Sequence, residues 1–432
     1  MKKITLRNNP FLIFLPFLLF YIIVILLFHT QELQFHGDQS RYLQFAHNIL
    51  NGYYSPPFPN IDLTNGPGYP LILAPFLFFS APITFLILIN AFFYYLSVVF
   101  LYKSLAEFVS FKLSLWLSIF WGLYYNAYQE LVQLMTEVFT CFLITLIIYA
   151  LVKVFQCAKN RLNIFLSGVF IGYLALTKII FGYVLICLLF ASLIFWVISS
   201  SSNLKRIVVI LSIGFFFTIP YLLYTYNLTG KILFWGTPGN DSLYWMSTPF
   251  KNEYGNWYGE FEIPRSQKEI DNSFPGYLDS LKLHHQQDYE KIFVYKDALK
   301  REEVYKAIAI DNIRSHPLKY LENCFSNVGR LLFSFPYSYS IESNRTLLRL
   351  PLNGSLVLIS LFCLIPTFFN WKKIFFPIKF IMFFLALYLG ASILVSTQIR
   401  MFTVIVPMLL FWIGYILQRC VKINFRFNRE NK

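Results

Sequence analysis

The chain alternates long apolar runs with short polar turns, starting with an apolar run from Phe11 to Phe28. Further runs lie near residues 83–102, 113–127, 134–152, 163–177, 179–198, 207–226, 353–370, 380–397 and 402–418. Most approach the roughly 20 residues that a helix needs to cross hydrocarbon. The pattern therefore predicts an all-α polytopic membrane protein of about ten spans. One apolar piece, Leu71–Ser80, is too short to span and is expected to lie along the interface.

The first polar segment, Phe35 to Pro70, has a different period. After Gly37-Asp38 it gives about three turns of amphipathic helix, with Tyr42, Phe45, Ala46, Ile49 and Leu50 on one face. Arg41, Gln44, His47 and Asn48 fall opposite. Asn51-Gly52 ends that helix, and Pro56-Pro57-x-Pro59 prevents another. Gly66-Pro67-Gly68-Tyr69-Pro70 then turns the chain back toward the apolar runs. With Leu71–Ser80, this makes two juxtamembrane helices in the first loop.

Composition fits the pattern: 57% of the 432 residues are hydrophobic, 20% aromatic and only 13% charged. Charge then sets the sidedness. Lys2, Lys3 and Arg7 precede the first run, which lacks the shorter core and small-residue cleavage site of a signal peptide and reads as a retained span. If the N-terminus starts inside, basic residues recur in every second loop, at 103–112, 153–161, 205–206, 372–379 and 419–432. Those loops and the N-terminus hold eighteen Lys and Arg against Glu107 and Glu430. The formal charge of +14 is thus a topology signal, not a nucleic-acid footprint. The division that follows is an N-terminal membrane module at 1–226 with its first outer loop at 30–82, a large outer loop at 227–352, and C-terminal helices with a basic tail at 353–432.

The large outer segment is near-neutral. Its first part, from Phe234 to Phe261, is rich in Gly, Asn and aromatic residues and reads as ordered loop. From Asp288 to about Phe333 it reads as helices, broken at Ser315-His316-Pro317. His284 and His285 are expected to be solvated. Of six cysteines only Cys324 falls in this segment, so no disulfide is expected. No zinc-type cluster, Gly-rich phosphate loop or internal repeat is present in the sequence.

Isolated ionisable residues carry the chemistry. On this topology Asp38, Arg41, Asp62, Glu130, Glu137, Lys178 and Arg400 all reach the outer face, and charges so placed in an apolar chain are functional candidates. Each also has a plain alternative. Asp38 can cap its helix, Asp62 can close an Asx-turn, and Lys178 can snorkel. Glu130 and Glu137, seven apart, are expected on one helical face. The set as a whole fits a demand that its members singly do not: a carboxylate to deprotonate a hydroxyl, and cations to hold a phosphate whose charge grows as its partner departs.

The blocks GDQSRYLQFAHNILNGYY, GPGYPLILAPF, LMTEVFTCFLITLIIYAL, LALTKIIFGYVL, WGTPGNDSLYW, AIAIDNIRSHPLKYLENCFSNVGRLLF and QIRMFTVIVPMLL, in this order, resemble the GT-C superfamily of membrane glycosyltransferases. The resemblance is to the branch holding protein O-mannosyltransferases and the lipid A aminoarabinose transferase, and it spans residues 10 to 417. It implies a GT-C-like bundle and a polyprenyl-phosphate sugar donor at the outer face of a plasma membrane, the inner membrane in bacteria. It implies Asp38 as general base and Lys178 and Arg400 on the donor phosphate; Glu137, Asp62 and Arg41, charged residues on the same outer face, are expected as further substrate contacts. The acceptor hydroxyl is left as lipid, glycan or protein. Two departures stand out: Asp38-Gln39 replaces two successive acids, and the second acidic block is reduced to Asp62. No cofactor is identified, and a divalent metal is left open, with His36 and Asp38 as candidate ligands. A flippase or transporter predicts repeats and mid-membrane charges, which the chain lacks. An outer-face polysaccharide polymerase or ligase is the nearer alternative.

Overall fold

The computed structural model describes residues 9–156, 160–237, 239–258, 276–340 and 344–421, and among these it contains helices and loops but no strand element. Each expected span is found as helix, with shifts at the ends. Six helices are long and apolar enough to cross a membrane: Ile83–Leu105, Glu137–Gln156, Ile179–Ser199, Ser202–Thr229, Thr346–Phe369 and Phe376–Ile393. The other four runs give the shorter helices Leu15–Phe28, Phe111–Gly122, Arg161–Thr177 and Val406–Arg419. The chain is a polytopic all-helical membrane protein.

Glu137–Gln156 is the centre of the bundle, with 72% of its apolar window buried by protein. Ile83–Leu105 and Arg161–Thr177 flank it. At the other extreme only 22% of the Thr346–Phe369 window is covered, and Leu358, Ile365, Phe368 and Phe369 point outward. Bare apolar surface of that extent has lipid as its natural solvent. Arg161–Thr177 packs most closely on Ser202–Thr229, where Gly172 faces Gly214. A Cβ at Gly172 would lie 2.6 Å from the Gly214 carbonyl oxygen, so only glycine lets the two backbones meet.

The first loop forms the two interfacial helices that the sequence predicts, Asp38–Leu50 and Gly68–Phe78. They pack on each other, with Tyr42 edge-on to Tyr69 at 5.4 Å, and Tyr69 in turn meets Phe139 of the central span. The polar face differs from expectation at Asn48, which is buried because its Nδ2 donates to the Tyr54 carbonyl at 3.0 Å; Leu50 is exposed instead. The Gly66-Pro67-Gly68 turn has a second task. A Cβ on Gly66 would fall 2.1 Å from the Leu176 carbonyl oxygen, and one on Gly68 2.5 Å from the Thr177 hydroxyl. The loop therefore lies directly on the end of Arg161–Thr177, beside Lys178.

The large segment builds a second, smaller core from Tyr244, Trp245, Tyr258, Tyr277, Leu281, Tyr289, Ile292 and Tyr305. Its helices are Asn240–Met246, Tyr277–Phe293, Ala298–Ser315 and Pro317–Phe333, the last two separated at His316 as expected from Pro317. Helix starts here before Asp288, and residues 259–275 lie outside the described residues. The next span begins at Asn344 rather than near 353.

The charge asymmetry predicts which side is which. In a cysteine-free background, a cysteine at exposed Gln287 should react with a membrane-impermeant maleimide on intact cells. One at exposed Ser202 should react only after permeabilisation. The reverse pattern would place the Asp38 loop inside and remove it from any outer-face chemistry.

Candidate active site

Four charged side chains that lie far apart in sequence form one continuous chain of ion pairs. Asp38 Oδ2 accepts from Arg400 Nη2 at 2.8 Å, Arg400 Nε lies 3.7 Å from Glu137 Oε1, and the same oxygen accepts from Lys178 Nζ at 2.8 Å. Each member sits where a helix begins or breaks. Asp38 is the first residue of its helix and Glu137 the first of the central span. Lys178 is the extended residue between Arg161–Thr177 and Ile179–Ser199, and Arg400 lies in the short helix Ile399–Thr403. Helix breaks gather at this end of the bundle, so the charges sit at span ends, not in mid-span.

Asp38 does not cap its helix. The N-cap is Gly37, at φ +60°, a conformation that costs a side chain strain but suits glycine. The Asp38 carboxylate points away from the helix backbone instead. Its Oδ1 accepts from Arg41 Nη2 at 2.5 Å and from Asn65 Nδ2 at 3.3 Å. Asn65 also donates to the Tyr42 hydroxyl at 3.0 Å and accepts from Arg41 Nε at 3.1 Å, so the loop after the helix fixes this end of the cluster. Burial alone raises the Asp38 carboxyl; Arg400 and Arg41 more than offset it and hold the group well below the usual carboxylate range.

Glu137 is fully buried and bonded to two cations, with the Thr136 hydroxyl donating to its other oxygen at 3.4 Å. Lys178 and Arg400 keep 15% and 23% of their side chains exposed, so a ligand reaches the cations but not the carboxylate between them. Glu130 is near the cluster, but not on one helical face with Glu137: the helix Tyr125–Leu131 ends before Glu137 starts the next. Burial pushes the Glu130 carboxyl up, and the Glu137 charge adds to that.

Asp62 stands apart from the ion-pair chain. Its Oδ1 accepts from the Thr64 N–H at 3.0 Å, an Asx-turn, while its backbone N–H donates to the Ser55 hydroxyl at 2.9 Å. It nonetheless lines a cavity of about 600 Å³, whose wall also includes Arg41.

A second polar cluster was missed by sequence reasoning. Expected to be solvated, His285 is instead buried, because Glu253 Oε2 and the Tyr244 hydroxyl bond its two ring nitrogens at 2.9 and 2.6 Å. Glu253 Oε1 pairs with His284 Nδ1 at 2.9 Å and accepts from the Tyr339 hydroxyl at 3.0 Å, and the Thr248 hydroxyl bonds Oε2. Burial raises the Glu253 carboxyl, but His285, Thr248 and His284 outweigh it and bring it down to about 2. With its partners satisfied, this cluster ties the aromatic layer of the large segment together.

No protein-family model matches the chain, and no curated protein does. Among solved structures it is similar to the crystal structure of ArnT from Cupriavidus metallidurans bound to undecaprenyl phosphate. Identity is 10% and the TM-score 0.39, over 94% of this chain and 77% of that one. A likeness that loose carries no argument about chemistry.

Proposed function

We propose that the chain is a GT-C-type membrane glycosyltransferase that moves a sugar from a polyprenyl-phosphate donor to an acceptor hydroxyl at the outer face. The observation that carries this reading is the ion-pair chain Asp38–Arg400–Glu137–Lys178, in which two reachable cations are held by carboxylates at the edge of an apolar bundle. A lipid phosphate fits both requirements at once. Its tail has apolar helix surface to lie on, and its headgroup meets Lys178 and Arg400.

The resting pairs suggest an order of events. Gripped by two guanidinium groups, Asp38 is a weak base. A phosphate entering against Lys178 draws Arg400 toward itself and leaves Asp38 with Arg41 and Asn65, so its basicity rises only once donor is bound. Asp38 then takes the proton of the acceptor hydroxyl as that oxygen attacks the anomeric carbon. The bond from this carbon to the phosphate oxygen breaks, and its electron pair leaves with the polyprenyl phosphate. The added negative charge falls on Lys178 and Arg400. Attack from the face opposite the leaving group inverts the anomeric centre. Glu137 acts here as a positioning residue for the two cations rather than as a substrate contact.

Charges at span ends rather than in mid-span favour this reading over a transporter. Lys178→Ala tests it. Transfer should fall on the order of a hundredfold, the ~3 kcal/mol typical of one lost transition-state donor. Lys178→Arg should recover part of it, since charge is the main requirement. Normal turnover of donor by a well-folded Lys178→Ala protein would put the phosphate elsewhere.

A further inference from the structure

The cavity beside the ion-pair chain takes no part in the donor site proposed above. At about 600 Å³ it falls within the ~300–1,000 Å³ of small-molecule sites. It lies between the first loop and the aromatic layer of the large segment. Around its wall Arg41, Lys296 and Arg301 share the lining with Asp62, Asp241 and Glu302, so a ligand ion of either sign would meet like charge as well as opposite charge. An apolar tail is a poor occupant as well, because it would strip water from six ionisable groups.

The fitting ligand is neutral and polar, with an apolar face. Trp257 is 48% exposed, yet its indole N–H donates to Asp241 Oδ2 at 2.9 Å, which holds the ring in place along the cavity. Trp245, Tyr258, Tyr289 and Tyr305 form a buried aromatic bed behind it. Asp241 Oδ1 accepts from the Ser242 N–H at 2.5 Å, which leaves lone pairs on both oxygens for hydroxyl donors. Glu302 Oε2 accepts from the Asn240 N–H at 3.3 Å. Burial, with the Asp241 charge added, pushes the Glu302 carboxyl up to about 8, so at neutral pH it is mostly protonated and can donate. Pyranose rings have the complementary surface: a C–H face to lie on an indole and a rim of hydroxyls to bond carboxyl groups.

We propose that this cavity is the acceptor site and that the acceptor is a saccharide, with one ring on Trp257 and its hydroxyls on Asp241 and Glu302. The word acceptor rests on the transfer reading above; saccharide binding stands on the cavity alone. Arg41 joins the two sites, since it lines the cavity and bonds Asp38 at 2.5 Å. A hydroxyl reaching past Arg41 arrives at the base.

The test is binding of the labelled full-length protein in detergent to an array of immobilised oligosaccharides, with an array of Ser/Thr peptides alongside. Wild type should bind at least one glycan class above all peptides. Trp257→Ala should weaken that binding about tenfold, while Trp257→Phe, which keeps an aromatic face, should retain most of it. Binding is read without donor or transfer, so failure of the base assignment leaves this result intact. Competition by the free oligosaccharide, compared with the same glycan on a lipid carrier in vesicles, separates a soluble saccharide from a lipid-borne one. Absence of glycan binding, a preference for peptides, or Trp257→Ala binding equal to wild type would each overturn the proposal.

Discussion

An Asp38→Asn protein is expected to fold, to bind the lipid-phosphate donor and to transfer almost no sugar. Asn fits the same space and keeps a hydrogen-bonding oxygen toward Arg41, while its amide NH2 gives up the pair with Arg400, so a modest loss of stability accompanies the change. Helix capping adds nothing to that loss, because Gly37 is the N-cap and the Asp38 carboxylate makes no capping bond. What Asn cannot do is accept the acceptor's proton. Loss of a general base costs roughly a hundredfold to ten-thousandfold, so the effect belongs in the transfer rate and not in donor affinity. Near-normal transfer by the well-expressed variant would end the assignment and leave Asp62 and Glu130 as the acids to test.

Arg400→Ala should have an effect of similar size for a different reason. Arg400 touches both carboxylates, Asp38 at 2.8 Å and Glu137 at 3.7 Å. Its loss leaves Glu137 buried with Lys178 alone, and removing one partner of a buried pair typically destabilises by about 3–5 kcal/mol. It also removes a donor to the leaving phosphate, worth on the order of a hundredfold in rate. Thermal stability and transfer should therefore fall together. Arg400→Lys should restore little of either, because an ammonium group cannot fork between two carboxylates. A variant with wild-type stability and turnover would show that the ion-pair chain is incidental.

The charged site was legible because the chain is so apolar. Few places in it tolerate a lone Lys178 or Arg400, so each such residue implies a partner, and the partners prove to be Glu137 and Asp38. Arg41 was legible too, three residues along the same helix from Asp38. The interfacial helix pair could be read from the amphipathic period and the short Leu71–Ser80 run. Contacts made across the large segment could not. Glu253 meets His285 from 32 residues away, and Trp257 and Glu302 come together around Asp241 only through the fold of the aromatic layer. Spacing carries no trace of either. Glu130 was misplaced for a local reason: residues 132–136 interrupt the helix, so a seven-residue spacing does not mean a shared face. The glycines at 66 and 68 read as a turn, whereas their closeness to Leu176 and Thr177 shows only in three dimensions.

The fate of a polyprenyl-phosphate sugar, labelled in both sugar and phosphate, bears most directly on the central claim. The purified protein would be reconstituted in vesicles together with membranes that lack it, and the products separated. The account predicts free polyprenyl phosphate that keeps its phosphorus label, and sugar alone on the acceptor with its anomeric configuration inverted. Phosphorus label carried onto the acceptor, or donor moved across the vesicle with its sugar–phosphate bond intact, would contradict it.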